Sequence, residues 1–432
     1  MKDFLILGES AMFSREFLSD VCDFEPQNGA NYLVSNAAGA AEIHAAEIDY
    51  LIAKSKSDKA TKTRMIRAIL EARSAVFDNF LEQKINYDPA LCHFHDKASG
   101  ACARCAAACP NGALVADTDA ARIKFAPDLC RECGACAGVC PTGAIEFGAF
   151  GKEAICAAAR AFAGFTPFLI AAEFDLDLEL ELPAGAIPFV VPNFALFNEF
   201  AYWTFFEETG SQIVIAGELN AAAKFANDLA IALYNKSAIL TIGEIGSAAP
   251  IVKAQFAAES SANSQRAALA DRVKGALARS QIAKAPPIAS EIFGSVAINA
   301  ESCSLCAACA QNCATNAITA SETEGVLWVT NALCTMCGEC ATICPEKSIS
   351  LEKSGLVLED AFFARREAAR DTAFCCVECG KPFAASRAAQ KVIALMSPIF
   401  ASDAAKLRSL SCCPDCKVKV MMGETLKKSV AK

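Results

Sequence analysis

Long apolar runs are scarce in this chain. Its greasiest stretch, "AGAIPFVVPNFALF" at 184–197, is short and broken by proline and asparagine, and no segment reaches the roughly 18–20 apolar residues of a membrane span. The sequence therefore reads as a soluble protein with no membrane span, able at most to dock peripherally on a membrane complex. Positive charge is also short: 40 Lys and Arg stand against 49 Asp and Glu, a formal net charge of −9. That excess argues against a nucleic-acid partner, because phosphate contacts need concentrated cations. The start, "MKDFLILGESAMFSREF", lacks a basic region followed by a long apolar stretch and a small-residue cleavage site, so the expected location is cytoplasmic and reducing. Glycine fingerprints are missing too. "GAFGKEA" and "GEIGSAAP" pair glycines without reaching G-x-G-x-x-G, and no Walker A run exists. Histidine is rare, at three residues, two of which are His93 and His95.

Cysteine is abundant, with 24 residues in the chain. In a reducing compartment clustered thiols read as metal ligands. Four runs carry most of them: Cys102, Cys105 and Cys109; then Cys130, Cys133, Cys136 and Cys140; then Cys303, Cys306, Cys309 and Cys313; then Cys334, Cys337, Cys340 and Cys344. Each cysteine of the first two runs recurs 204 positions later, and within each pair 21 positions separate the last cysteine of one run from the first of the next. Every run is followed by an echo, "PNGAL", "PTGAI", "ATNAI" or "PEKSI", which reads as a turn and a short strand. Such fixed self-similarity is the signature of a duplicated unit.

The runs resemble those of bacterial two-[4Fe–4S] ferredoxins over residues 90–150 and 295–352. In that family the fourth cysteine of each run serves the other cluster. Carried onto this chain, the resemblance implies one cluster on Cys303, Cys306, Cys309 and Cys344 and another on Cys334, Cys337, Cys340 and Cys313. It also implies a complete set of Cys130, Cys133, Cys136 and Cys109. The remaining set, Cys102, Cys105 and Cys140, is one thiol short, because Ser99 stands where the run should begin. Cys92, ten residues before Cys102, is the candidate donor, looping back over "HDKASG" at modest entropic cost. His93 or His95 as a ligand, and a labile three-ligand site, are the competing readings.

Near the C-terminus two further C-x2-C knuckles, Cys376 with Cys379 and Cys413 with Cys416, suit a four-thiolate structural zinc. A helix-like "SRAAQKVIALMS" lies between them. Cys375 and Cys412 are adjacent alternatives, so a further iron–sulfur site also fits. Cys22 and Cys156 have no partner at motif spacing and read as small core residues.

The expected architecture is a multidomain α+β and α/β chain. It comprises an N-terminal α/β or mostly helical domain (1–88), read from the strand candidates "FLILG" and "NYLVSN" and a charged helical stretch at 47–82, a first ferredoxin unit (89–150), a small α/β insert (151–250), a helical linker (251–292), a second ferredoxin unit (293–352) and a C-terminal helical segment with the knuckles (353–432). The insert is read from the short apolar runs "FTPFLIAAEF", "GAIPFVVP", "SQIVIAGE" and "SAILTIGE" alternating with helical segments. Its aromatic group Phe200, Tyr202, Trp203, Phe205 and Phe206 suits either a packed core or a flavin pocket.

The function expected of such a polyferredoxin is electron transfer. The chain is similar, most specifically at its cysteines, to cytoplasmic iron–sulfur proteins associated with formate dehydrogenase, which implies a formate dehydrogenase as the redox partner. A flavin- or nicotinamide-linked oxidoreductase subunit using the insert, and an assembly factor for another redox enzyme, are the alternatives.

Overall fold

The computed structural model describes residues 11–13, 32–34, 85–97, 102–147, 150–171, 186–191, 193–247, 264–280, 282, 285–321 and 324–430. The strand candidate "FLILG", the charged helical stretch at 47–82 and Cys22 lie outside these residues. Near the N-terminus, β1 (Ala11–Phe13) pairs antiparallel with β2 (Tyr32–Val34), the latter inside the strand candidate "NYLVSN". The chain divides into two compact bodies. One spans Met1–Asp96, Cys102–Ser290 and Val357–Glu359, and the other Lys97–Ala101, Glu291–Leu356 and Asp360–Lys432.

The first body opens with β3 (Asn86–Tyr87), α1 (Arg104–Ala108), β4 (Leu114–Asp117), β5 (Arg122–Phe125), α2 (Ala135–Gly138) and β6 (Ile145–Glu146). β4 and β5 form an antiparallel hairpin, and β3 pairs with β6. The helices are single turns of small residues between cysteines. α2 starts from Gly134 at φ 71, a left-handed conformation that glycine adopts without a Cβ clash. Gly138 has a second reason to be glycine, since a Cβ there would stand 1.8 Å from the Ala195 carbonyl oxygen. That close approach seats the cysteine-bearing layer on the α/β layer of the same body.

The α/β layer consists of α3 (Lys152–Ala161), β7 (Thr166–Ala171), β8 (Ala186–Val191), α4 (Glu199–Thr209), β9 (Ile213–Ile215), α5 (Ala221–Tyr234), β10 (Ile239–Thr241) and α6 (Gln265–Ser280). The strands lie parallel in the order β10-β9-β7-β8. Parallel strands need crossover segments and are covered on their faces, which is why their sequences run continuously apolar instead of alternating. Asn198 and Asn220 cap α4 and α5 by accepting the Ala201 and Ala223 N–H groups. α4 packs against α3, α5 and α6, and every residue from Phe200 to Thr209 is buried. Its aromatics pack as core: the Phe189 ring lies 5.4 Å from that of Phe162 and 5.2 Å from that of Phe205.

Within the range 251–292, the described helix α6 packs into the α/β layer. Leu269, Val273, Ala276 and Leu277 of α6 are buried, and α6 sends its charged side chains into α4. Arg272 Nη2 donates to Glu208 Oε1 at 2.8 Å, and Arg279 Nη2 donates to Glu207 Oε1 at 2.6 Å.

The second body contains β11 (Ser295–Ile298), α7 (Ala308–Gln311), β12 (Ile318–Ser321), β13 (Val326–Val329), α8 (Glu339–Ile343) and β14 (Ile349–Glu352), followed by α9 (Asp360–Phe363), β15 (Arg366–Arg370), β16 (Ala373–Cys375), β17 (Pro382–Ala385), α10 (Ser386–Met396), α11 (Ala404–Ser409) and α12 (Pro414–Val430). β11 pairs with β14, and the β12–β13 hairpin repeats the register of β4–β5, Ile318↔Val329 matching Leu114↔Phe125. The copies differ at one edge. β15 adds to β13 and makes a three-stranded sheet, and the "VLWV" of β13 is largely buried. The corresponding β5 reads "RIKF", with Arg122 and Lys124 exposed. Cations on an outer strand discourage further pairing.

Candidate metal centres

The second and fourth cysteine runs are each presented by a tight turn of the same geometry. A 3-10 turn at Pro127–Leu129 delivers Cys130, whose N–H reaches the Pro127 carbonyl at 2.9 Å. Asn331–Leu333 does the same for Cys334, again at 2.9 Å. The residue before the second cysteine is left-handed in each, Glu132 at φ 58 and Met336 at φ 58, with Leu305 at φ 53 in the third run. Non-glycine residues hold that conformation only at a cost, and such strain gathers at functional sites. Here it turns backbone N–H groups toward sulfur, as where Met336 N–H reaches Cys334 Sγ at 3.4 Å.

These turns bring thiols of each run near one another and near a thiol of the partner run. Burial first, then the neighbouring Cys130, Cys133 and Cys109 sulfurs, push the Cys136 thiol up to about 12, while the Ala137 N–H opposes them. Cys309 is pushed up to about 12 by burial and by Cys303, Cys306 and Cys344. Burial with Cys334, Cys337, Cys313 and Cys309 raises Cys340. Cys105 is pushed up to about 12 by burial and then by Cys140, Cys102 and Cys92. In each case a thiol of the partner run is among the sulfurs acting on the buried cysteine. Cys109 differs in direction: against its burial, the N–H groups of Leu114, Asn111, Ala113 and Gly112 pull its thiol down, with Ala113 N–H at 3.2 Å from the sulfur. Crowded, buried thiols are protonated when alone, so metal that binds them must displace protons.

Cys92 is the informative position. The sequence suggested a ligand looped back from a distance; the structure anchors it to the sheet. Asp88 N–H reaches the Ala144 carbonyl at 2.8 Å, as Asn299 N–H reaches Ser348 at 2.8 Å, and in each case a cysteine, Cys92 or Cys303, follows four residues later. Cys92 thus takes the place of a first cysteine in its run, and the extra length lies after it, before Cys102. It shares the entry turn of the second and fourth runs, a 3-10 helix at Pro89–Leu91 with Cys92 N–H on the Pro89 carbonyl at 3.2 Å. The signal was in the sequence: "PALC" at 89–92 parallels "PDLC" at 127–130 and "NALC" at 331–334. His95 is otherwise engaged, its Nδ1 lying 3.1 Å from the Tyr87 hydroxyl and its Nε2 3.5 Å from Asp96. His93 is buried.

The C-terminal knuckles converge more tightly. The sulfurs of Cys376, Cys379, Cys413 and Cys416 all lie within 4.8 Å of one another, and among the described residues no other group of three or more His, Cys, Asp or Glu side chains does so. Cys379 Sγ and Cys413 Sγ are 3.8 Å apart. A single tetrahedral ion with metal–sulfur bonds of about 2.3 Å separates its sulfurs by about 3.8 Å. Against burial, the N–H groups of Cys413, Cys379 and Glu378 pull the Cys376 thiol down to about 6, which favours the thiolate a metal needs. Cys412 is buried beside Cys376 with its sulfur 3.3 Å from the Arg408 carbonyl oxygen, and Cys375 is exposed. Cys156 stands apart, its sulfur 3.7 Å from Arg272 Nη2.

Among the described residues, no helix is long and apolar enough to cross a membrane. No curated protein matches the chain. Residues 100–144 match the 4Fe-4S dicluster domain family, a span holding Cys102, Cys105, Cys109, Cys130, Cys133, Cys136 and Cys140. Residues 100–144 thus form a 4Fe-4S dicluster domain, which together with the many cysteines supports an iron–sulfur role in electron transfer.

Proposed function

We propose that this chain is an electron carrier with four [4Fe–4S] clusters and one structural zinc. The clusters belong to Cys92, Cys102, Cys105 and Cys140; to Cys130, Cys133, Cys136 and Cys109; to Cys303, Cys306, Cys309 and Cys344; and to Cys334, Cys337, Cys340 and Cys313. The carrying observation is the recurrence of the cysteine runs at a fixed offset of 204 residues on hairpins of matching register. Thiolates in that cross-over arrangement are the donor set of a two-cluster ferredoxin unit, and the repeated hairpin register supports a second such unit over 293–352.

Each cluster, when bound, supplies reversible uptake of one electron at a potential set by charge, exposure and hydrogen bonding to sulfur. The chain's own residues provide those settings. Backbone N–H groups of Phe94, Ala113, Met336 and Ser348 donate to the sulfurs of Cys92, Cys109, Cys334 and Cys344 at 3.2–3.4 Å. Exposure varies within the groups, from the buried Cys92, Cys136, Cys303, Cys309 and Cys334 to the exposed Cys306. Cys376, Cys379, Cys413 and Cys416 hold the zinc, whose task is to fix the fold of the C-terminal segment.

The partner is a redox enzyme. The likeness at the cysteines to iron–sulfur proteins of formate dehydrogenase systems makes formate dehydrogenase the first to try. Anaerobic metal and sulfide analysis tests the reading, with about sixteen irons and about one zinc per chain expected. Colourless protein after reconstitution with iron and sulfide would overturn it.

A further inference from the structure

β17 runs directly into α10, and the second residue of that helix is Arg387. Its guanidinium lies on the turn that leads to Cys303. Nη1 donates to the carbonyl oxygens of Ala300 at 2.5 Å, Cys303 at 3.0 Å and Glu301 at 3.3 Å, and Nη2 donates to that of Arg370 at 2.7 Å. The counter-ion, Asp371, takes other positions: Oδ1 faces Nε at 3.6 Å and Oδ2 accepts the Arg387 backbone N–H at 2.6 Å. The Nη1 end is therefore the one turned to Cys303.

One turn along the same helix, Lys391 Nζ pairs with Glu346 Oε1 at 2.5 Å and offsets the carboxylate two residues beyond Cys344. The Cys334, Cys337, Cys340 and Cys313 group has an acidic neighbour instead. Glu339, the first residue of α8, is 2% exposed and lies in the chain between Cys337 and Cys340.

We propose that Arg387 is a positioning residue that makes the cluster of Cys303, Cys306, Cys309 and Cys344 the higher-potential member of its pair, and so the resting place of an electron entering that pair. The inference rests on the four-cluster reading above. Reduction adds negative charge to a cluster, and a fixed cation held against one ligand's backbone favours the reduced form. The knuckle hairpin β16–β17 leads into α10 and presents Arg387, which gives the C-terminal segment a part in setting that potential.

The test is a stepwise anaerobic dithionite titration of the full chain with redox mediators, followed by electron paramagnetic resonance. In R387Q the midpoint of one cluster should fall and the other three should stay. R387K, which keeps the charge and loses the fork of hydrogen bonds, should hold that midpoint at the wild-type value. D371N, which removes the counter-ion, should raise it. Four unmoved midpoints in R387Q overturn the inference, and so does R387K moving as far as R387Q, which would mark a packing effect. If R387Q loses that cluster altogether, D371N and R387K decide: an upward shift with an unmoved R387K supports the role, and no upward shift refutes it. Iron content of the wild type separates the two levels, since a chain short of about sixteen irons would sink the four-cluster reading itself.

Discussion

Cys92 carries the clearest consequence at the level of single residues. Its sulfur acts on Cys105 together with Cys102 and Cys140, and it accepts the Phe94 N–H at 3.4 Å. Replacing it with alanine should cost about four of about sixteen irons and one paramagnetic signal, leaving three clusters intact. Cys156→Ala is the control and should retain the full complement, because that thiol contacts Arg272 instead of another cysteine. An unchanged iron count in Cys92→Ala would return the site to a three-ligand or histidine-ligated reading. That Cys92 is a candidate ligand was legible from the missing thiol at Ser99. Its anchoring was not, since the longer segment between Cys92 and Cys102 breaks the C-x2-C spacing that the eye follows, while the turn that positions it depends on a pairing with Ala144 far along the chain.

Among the elements, the contact between α2 and the 3-10 turn Phe194–Leu196 allows no added atom. Gly138→Ala should lower the denaturation midpoint of the protein, by a change on the order of 1–3 kcal/mol for overpacking, and the mismatch is with backbone at 1.8 Å. Buried charge holds α6 to α4. Arg272→Met should be more damaging, about 3–5 kcal/mol, because it takes the closest cation from the buried Glu208 and leaves Glu207 to Arg279 alone. Chemical denaturation with circular dichroism reads both. Burial pushes the Glu207 carboxyl up to about 7 from an ordinary 4.5, with Arg272 and Arg279 opposing. Between those values the folded state keeps a proton that the unfolded chain has released, so the stability linked to this group is full below pH 4.5 and is lost as pH rises through about 7. A denaturation midpoint that climbs across that interval would contradict this. The four parallel strands were readable as unbroken apolar runs. The packing of α6 was not, because its arginines mark a solvated helix by composition and only the buried glutamates of α4 explain them. β15 was equally hidden: "REAAR" has little strand character, and it pairs because the edge of β13 is apolar.

At the scale of the whole molecule, iron and zinc should part company under chelation. A zinc-selective chelator should release about one zinc and leave the visible absorption of the clusters, because the knuckle thiols form a group of their own around Cys376 and Cys413. Loss of cluster colour in step with zinc would show that the same metal chemistry holds both. The 204-residue repeat of the cysteines and the matching hairpin register are visible from the sequence spacing. The divergence between the copies is visible only in three dimensions, where one hairpin ends in exposed cations and the other continues into β15.

The closeness of Cys379 and Cys413, 3.8 Å between sulfurs, bears on how the protein is handled at the bench. Once stripped of its ion, the knuckle places a thiol within easy reach of oxidative cross-linking to its neighbour. Air admitted during purification would then lock the C-terminal segment with a covalent bond that later addition of metal cannot reverse without a reductant.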